Sequence, residues 1–372
     1  MNQPFVRNRF TWLAYFMLAY YSYLQASLGP MIPFLRAELN LNYALAGLHL
    51  SAFALGMFVA GSTGDRIVQR WGRTRVFWFS GTGMAVAALL MGFAQQAVLT
   101  IGSSFLMGAI GTLMLVIIQA ALSDQYGERR AVALTESNVC ASIGATLAPL
   151  LVGLGNTLGP GWRSVLFIGA AVGTLAWVTA RRVSIPESQQ SSSPTTQSRA
   201  PLSKAFWSYW VVLFLCVSIE WCVVFWAADY LEKIVGLTKD TAATASSLVF
   251  VAAVMGRAVF SRLTWHLPSS KLLLAAMAIV AVGFPIFWLS RTPALNLAGL
   301  FICGLGVSNL FPLSLSTATT IAAAQINRAS SRISMGTGLA LLITPQVLGL
   351  AADQVGIQNA YAMVLPLLAA AA

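Results

Sequence analysis

One carboxylate in this chain stands where water should be scarce. Glu220 lies in "LFLCVSIEWCVVFW", with no other charge for more than a turn on either side. Burial disfavours the charged form of a carboxyl, which suits a group that takes up and releases a proton. The same residue could face a cationic substrate, or stay protonated and hydrogen-bonded between helices, and all three roles remain open. A denser group occupies "GSTGDRIVQRWGRTR", where Asp65, Arg66, Arg70, Arg73 and Arg75 fall within eleven residues of a chain that is only 9% charged. A carboxylate at the end of a helix needs partners when water leaves. Asp65 can find one in a nearby arginine or in the N–H groups of another helix's N-terminus. Asp124 can hold Arg70 or Arg73.

The elements that carry these residues are membrane helices. The chain has 372 residues, 58% of them hydrophobic, with eleven acidic and twenty-two basic side chains. A soluble protein would carry about a quarter charged residues. Apolar runs of about 20 residues recur along the whole length, and in lipid such spans must be helices because the backbone has to satisfy its own hydrogen bonds. The spans fall near 10–36, 43–63, 75–94, 97–123, 131–154, 163–180, 206–231, 241–260, 271–289, 295–320, 332–351 and 357–372. The first reads as an uncleaved helix, its apolar run being too long for a signal peptide. The last is short, or cut short. Cys140, Cys216, Cys222 and Cys303 are scattered through the spans without metal-ligand or redox spacing and read as small buried residues.

The net charge of +11 follows from topology. With the N-terminus in the cytoplasm, only Arg36, Arg163, Lys233, Lys239 and Arg291 fall at the outer ends, and the other seventeen of the twenty-two basic residues lie at the inner ends, in the even-numbered loops or in the tails. That bias fixes both termini inside and calls for no nucleic-acid partner. Most acids, Glu38, Glu128, Glu232, Asp240 and Asp353 among them, read as interfacial. Asp229, near the outer end of span 7, is expected to be wetted, as an outer gate. His49 is placed near the outer surface.

Six spans precede and six follow "SIPESQQSSSPTTQSRAPLSK", a polar stretch at 184–204 that reads as a flexible cytoplasmic linker. Residues 1–183 and 205–372 are then two six-helix bundles. Adding 196 to a position in the first half gives a counterpart in the second: Arg66 falls on Arg262, Arg75 on Lys271, Gly108 on Gly304, Pro149 on Pro345 and Gly153 on Gly349. The shared spacing of rare residues indicates a parallel duplication about an axis along the membrane normal. Glu136 and Asn138 at the start of span 5 correspond to Arg332 and Ser334 at the start of span 11. Glu136 and Arg332 thus join Glu220 as candidates for proton coupling or substrate contact: they invite an ion pair between halves that forms and breaks with each cycle, or act as independent interfacial charges.

Gly61, Asp65, Arg66, Gly72 and Arg73 resemble the signature Gly-x-x-x-Asp-Arg-x-Gly-Arg-Arg/Lys between spans 2 and 3 of the major facilitator superfamily, with four extra residues after Arg66. Four residues are about one helical turn, so the two ends keep their relative facing. The resemblance implies twelve helices in two pseudo-symmetric bundles around a central cavity. It also implies that Gly61, Asp65, Arg66, Arg70, Gly72, Arg73 and Asp124 form a conformational latch of the outward-facing state. In span 5, Gly144, Pro149 and Gly153 partly match the Gly-x-x-x-Gly-Pro-x-x-Gly-Gly pattern of the superfamily's antiporters, Ala148 and Val152 replacing two glycines. Small residues there let helices approach closely. Spans 1, 4, 7 and 10 line the cavity in the family, which makes Tyr20, Tyr21, Tyr23, Gln25, Gln119, Trp221, Trp226 and Asn309 candidate cavity residues. The arginine common in span 4 of proton-coupled members is absent, Ser104 standing near its place.

No phosphate-cradling Gly-Lys-Ser/Thr loop is present, and no nucleophile or metal set lies within the spans, so neither ATP-driven pumping nor enzyme chemistry is expected, and no cofactor or metal. The reading is a secondary transporter, proton-coupled, tilted toward export of amphipathic or cationic compounds. A symporter for a small nutrient or organic anion is the alternative within the class, and a membrane sensor without flux is the alternative outside it. Its expected partners are a small-molecule substrate, protons or another coupling ion, and the lipid bilayer. A monomer in the bacterial plasma membrane is expected, since one pair of bundles encloses a complete path.

Overall fold

The structure is a computed structural model and describes residues 6–187, 202–322 and 326–372. Most of the linker, Arg199 included, lies outside those residues. Among the described residues the regular structure is helical throughout: α1 (Arg9–Leu39), α2 (Tyr43–Trp71), α3 (Arg73–Phe93), α4 (Ala97–Tyr126), a single 3-10 turn (Gly127–Arg129), α5 (Arg130–Thr157), α6 (Ser164–Ala180), α7 (Lys204–Lys233), α8 (Lys239–Leu263), α9 (Ser269–Leu289), α10 (Pro293–Ile321), α11 (Ile326–Val355), α12 (Ile357–Tyr361) and α13 (Val364–Ala371). Nine of these are long and apolar enough to cross a membrane. α1 has the length, but Tyr15, Tyr20, Tyr21, Tyr23 and Gln25 dilute its apolar surface.

Two features differ from the sequence reading. The charged stretch after Gly61 is not a loop: α2 continues to Trp71, because a helix satisfies its own backbone in water as well as in lipid. The chain breaks only at Gly72, whose φ of 81° is strained for any residue with a Cβ. The last span is likewise not one helix. It divides at Ala362 and Met363 into α12 and α13, since Pro366 has no N–H to give and its ring crowds the carbonyl four residues back.

The helices cluster into two compact units. The first comprises residues 1–28 and 52–192, the second 29–51 and 193–372. In the first, α3 packs on α4 and α6, and α5 packs on α4 and α6. In the second, α10 packs on α7, α8 and α9, and α11 on α7. The internal repeat is visible as repeated contacts. A Cβ at Gly108 would overlap the carbonyl of Phe53, and one at Gly304 would press on Val249 and Ala252. Phe53 and Val249 are themselves 196 residues apart. The ends of α3 and α9 are treated alike in chemistry, although by different residues. Arg163 donates to the carbonyls of Met91, Gly92 and Ala94, and Asn296 to those of Phe287 and Ser290. Each supplies donors to carbonyls that the helix end leaves unpaired.

Candidate functional site

In the first unit, the charged group at the end of α2 is split. Asp65, Arg66 and Arg70 are exposed on the last turns of α2, and Asp65 makes no ion pair among the described residues. Gly61 lies in open space. Arg73, the first residue of α3, is 8% exposed and reaches Asp124 at 2.7 Å. It also donates to the carbonyl of Pro186 at 3.1 Å, just after α6. Of the two arginines open to Asp124, the one that follows the Gly72 break is the partner.

Glu136 has a different partner from the one sequence symmetry suggests. Its carboxylate accepts from Arg7 at 2.5 and 2.8 Å and from the Tyr15 hydroxyl at 2.9 Å. The segment leading into α1 brings Arg7 to the first turns of α5, and α1 brings Tyr15. The hydrogen bond to Glu136 raises the Arg7 guanidinium further above its already high value, against a smaller effect of burial. Arg332, at the start of the membrane part of α11, is exposed. Its carbonyl accepts from Trp210 Nε1 at 2.6 Å, and its guanidinium lies 4.0 Å from Met335 Sδ.

The tyrosines of α1 point into the packing of their own unit. Tyr20 is buried against Gly173 of α6, and Tyr23 donates to the carbonyl of Val165 on α6 at 2.8 Å. Tyr21 is buried beside Phe53. The reason is positional: these three residues lie on the stripe of α1 that closes against its neighbours, while Gln25 is half-buried. Gln119 on α4 is exposed. Gly144 sits where a Cβ would strike the Ala19 carbonyl, so α5 and α1 approach backbone to backbone, and α5 runs unbroken through Pro149 and the buried Gly153.

The second unit holds the charges that lie deepest. Glu220 is half-buried near the middle of α7 and has no hydrogen bond or ion pair among the described residues. Trp221, beside it, is half-buried, while Trp226 is fully buried and donates to the carbonyl of Pro345 at 3.2 Å. The cation that acts on Glu220 is Arg257 of α8. Arg257 stands six residues, about 9 Å, before the end of its helix, and its Nε donates to the carbonyl of Ser308 on α10 at 3.4 Å. Asn309, 3% exposed, folds back onto α10, its Nδ2 donating to Leu305 O and Ser308 Oγ at 2.9 and 3.2 Å. Three helices thus bring a carboxyl, a guanidinium and an amide to one region. Sequence reasoning grouped Arg257 with the basic anchors. The signal that separates it is its distance from the helix end.

Sequence reasoning also missed the character of Asp229. It is not wetted but 0% exposed, because the end of α1 closes over it: Arg36 Nη1 lies 2.7 Å from its Oδ1. His49, in the second turn of α2, is also buried, with Nδ1 3.1 Å from the carbonyls of Leu45 and Ala46.

The comparisons with known proteins agree with this architecture. The family model of the Major Facilitator Superfamily matches residues 11–322 and 212–372. An uncharacterised MFS-type transporter of Yersinia pestis is 23% identical over 350 residues, covering 92% of this chain and 89% of that protein. A drug efflux pump of Mycobacterium tuberculosis, JefA, is 29% identical over 154 residues, 41% of this chain and 29% of the pump. Among solved structures, a bacterial homologue of the human lysosomal transporter Spinster, in an inward-facing and unoccupied conformation, superposes with a TM-score of 0.76 at 13% identity, covering 98% of this chain and 95% of that one.

Proposed function

Because this chain belongs to the Major Facilitator Superfamily, we propose that it moves a small molecule across the bilayer by alternating access, in exchange for protons, and that it exports amphipathic or cationic compounds. The observation that carries the reading is Glu220. A carboxyl in the middle of an apolar helix, half-buried and without a hydrogen-bond partner among the described residues, is costly to maintain in a membrane unless it works there. It can hold a proton or a cation, and the two compete for one site, which is the physical basis of exchange. The likeness to an efflux pump over part of the chain supports the direction. In this reading both termini face the cytoplasm, residues 1–183 and 205–372 act as the moving bundles and 184–204 joins them. The Gly61–Asp124 group works as a latch between states, and the chain acts as a monomer without enzyme activity.

A second reading rests on Arg257. A guanidinium acting on Glu220 gives the region both signs of charge, which suits an organic anion or a zwitterion taken up with a proton. Ligand-dependent thermal stabilisation separates the two. Purified protein and Glu220→Gln are melted with tetraphenylphosphonium, benzoate, glucose or leucine. A ligand at about 100 times its dissociation constant adds roughly 2.7 kcal/mol. Stabilisation by the cation that vanishes in the variant supports export. Stabilisation by benzoate or leucine, retained in Glu220→Gln, moves the conclusion to uptake.

A further inference from the structure

The second unit contains a piece of the first two helices. Residues Gly29–Ser51, the end of α1 and the beginning of α2, cluster with α7 and α11. Three sets of contacts hold them there. Arg36 pairs with Asp229 of α7, and its guanidinium carbon lies 3.4 Å from the centroid of the Tyr43 ring. At the start of α2, the N–H groups of Tyr43 and Ala44 donate to Asp353 of α11 at 2.7 and 2.9 Å. Deeper, Ser51 Oγ donates to the carbonyl of Leu342 at 2.6 Å, and the Tyr43 ring meets Trp226 at 5.7 Å between centroids.

These contacts are unequal. Asp353 is exposed and exchanges its bonds with water at small cost. Asp229 is fully buried, and while Oδ1 takes the Arg36 bond, Oδ2 has no hydrogen-bond partner among the described residues. A buried carboxylate with one oxygen unsatisfied carries a desolvation penalty that a single charge-assisted bond offsets only in part. It stands one turn from the end of α7 at Lys233, so a proton from that face has a short way to travel. The titratable and charged groups that face it are Arg36 from α1, Tyr43 from α2, Glu232 and Lys233 from its own helix, and Tyr361 from α12. Arg36 is the only cation among them with an ion-pair bond to it.

We propose that Asp229 is a proton-binding site of the transport cycle, and that its protonation from the outer face releases Gly29–Ser51 from α7 and α11. The proton adds to Oδ2 and the carboxylate becomes a neutral acid. Arg36 keeps its charge, loses the anion that held it and turns to water. The clamp is then left with the exposed Asp353 bonds, the Ser51 hydroxyl on the Leu342 carbonyl and apolar contacts. Proton binding and opening are thereby linked, because the proton binds better to the released state. The site is separate from Glu220 and lies nearer the surface. The inference rests on the transporter reading and its orientation, but its test needs no substrate.

The test is external thiol labelling of Ser51→Cys, whose side chain is shielded by α11 in the clamped state. A charged, membrane-impermeant maleimide is added to intact cells at a series of external pH values. Each rate is divided by that of Thr292→Cys, an exposed position between α9 and α10, which removes the thiol's own pH dependence. The expected result is a rise of roughly tenfold as the external pH falls, within the usual range for coupled sites. With Asp229→Asn added, labelling should be fast at every pH, and with Asp229→Glu the pH step should return. A flat profile for Ser51→Cys alone, or an unchanged step in Asp229→Asn, overturns the proposal. Should Asp229→Asn not fold, Asp229→Glu decides on the presence or absence of the step. Failure of Thr292→Cys to label from outside would instead overturn the orientation.

Discussion

Arg73 Nη1 lies 2.7 Å from Asp124 Oδ2, so the first residue of α3 is tied to the last turn of α4. The same nitrogen also serves the carbonyl of Pro186 beyond α6. One arginine therefore closes three helix ends on one side of the first unit. Arg70, three residues earlier in sequence, is exposed on α2.

Replacing Arg73 should cost far more than replacing Arg70. Loss of a buried cation leaves Asp124 and a carbonyl unpaired, which costs about 2–4 kcal/mol, toward the low end because Asp124 is partly wetted. Arg70→Gln should change stability by less than about 0.5 kcal/mol, as surface substitutions do. Thermal melts in one detergent compare them directly. Equal losses would mean that the Arg73 bonds hold nothing together.

Gly108 and Gly304 test the duplication energetically. Each sits at a crossing where a Cβ would overlap or press on its neighbour, Gly108 on Phe53 and Gly304 on Val249 and Ala252. Alanine at either position should destabilise by about 1–3 kcal/mol through overpacking. Gly61→Ala, in open space on a helix, should instead gain about 0.5–1 kcal/mol through lower chain entropy. Melting temperatures of the three variants should order accordingly. A neutral Gly304→Ala would show that α8 and α10 can part without loss.

Spans were legible because apolar runs of about 20 residues have few other meanings, and the repeat because arginine, proline and glycine are rare enough at fixed spacing to stand out. Helix ends outside the lipid were less so. Hydropathy drops at Gly61, yet the backbone of α2 continues to Trp71, since hydrogen bonding within a helix is indifferent to which side chains it carries. Partners were the least legible. In helices apolar on every side, sequence does not say which face turns inward. Hence Asp229 read as wetted although Arg36 covers it, and Tyr20 and Tyr23 read as cavity residues although they pack on α6. The Glu136 partner came from outside the repeat altogether, from Arg7 in the segment before α1.

Glu136 gives a test of that unexpected group. It accepts two bonds from Arg7 and one from Tyr15, but the Arg7 side is exposed and Tyr15 is buried. Water replaces a lost guanidinium at little cost, whereas a buried hydroxyl without its acceptor is penalised. Arg7→Gln should therefore change stability little, and Glu136→Leu should lower it by about 1–3 kcal/mol, because it strands the Tyr15 hydroxyl. Adding Tyr15→Phe to Glu136→Leu should recover part of that loss. A larger effect of Arg7→Gln than of Glu136→Leu would place the weight on the ion pair instead.

Glu220 and Arg257 are the last pair, and the one closest to transport. The charge of Arg257 on α8 acts on Glu220 of α7, and Arg257 is held by the carbonyl of Ser308. If the two charges balance each other inside the membrane, removing one alone is worse than removing both. Arg257→Gln should remove the cation whose charge reaches Glu220 and lower stability, and Glu220→Gln should remove the carboxyl it acts on. The double variant should be more stable than the sum of the singles implies, with a coupling energy of about 0.5–3 kcal/mol. A thermal-melt cycle of the four proteins measures it without a substrate. Transport adds the functional half: the double variant should fold well and still fail to exchange, because neutral amides at both positions restore the balance of charge but cannot carry a proton. Additive losses would mean that Arg257 is held by its other contacts, the carbonyl of Ser308 among them, and that Glu220 works without a counter-ion.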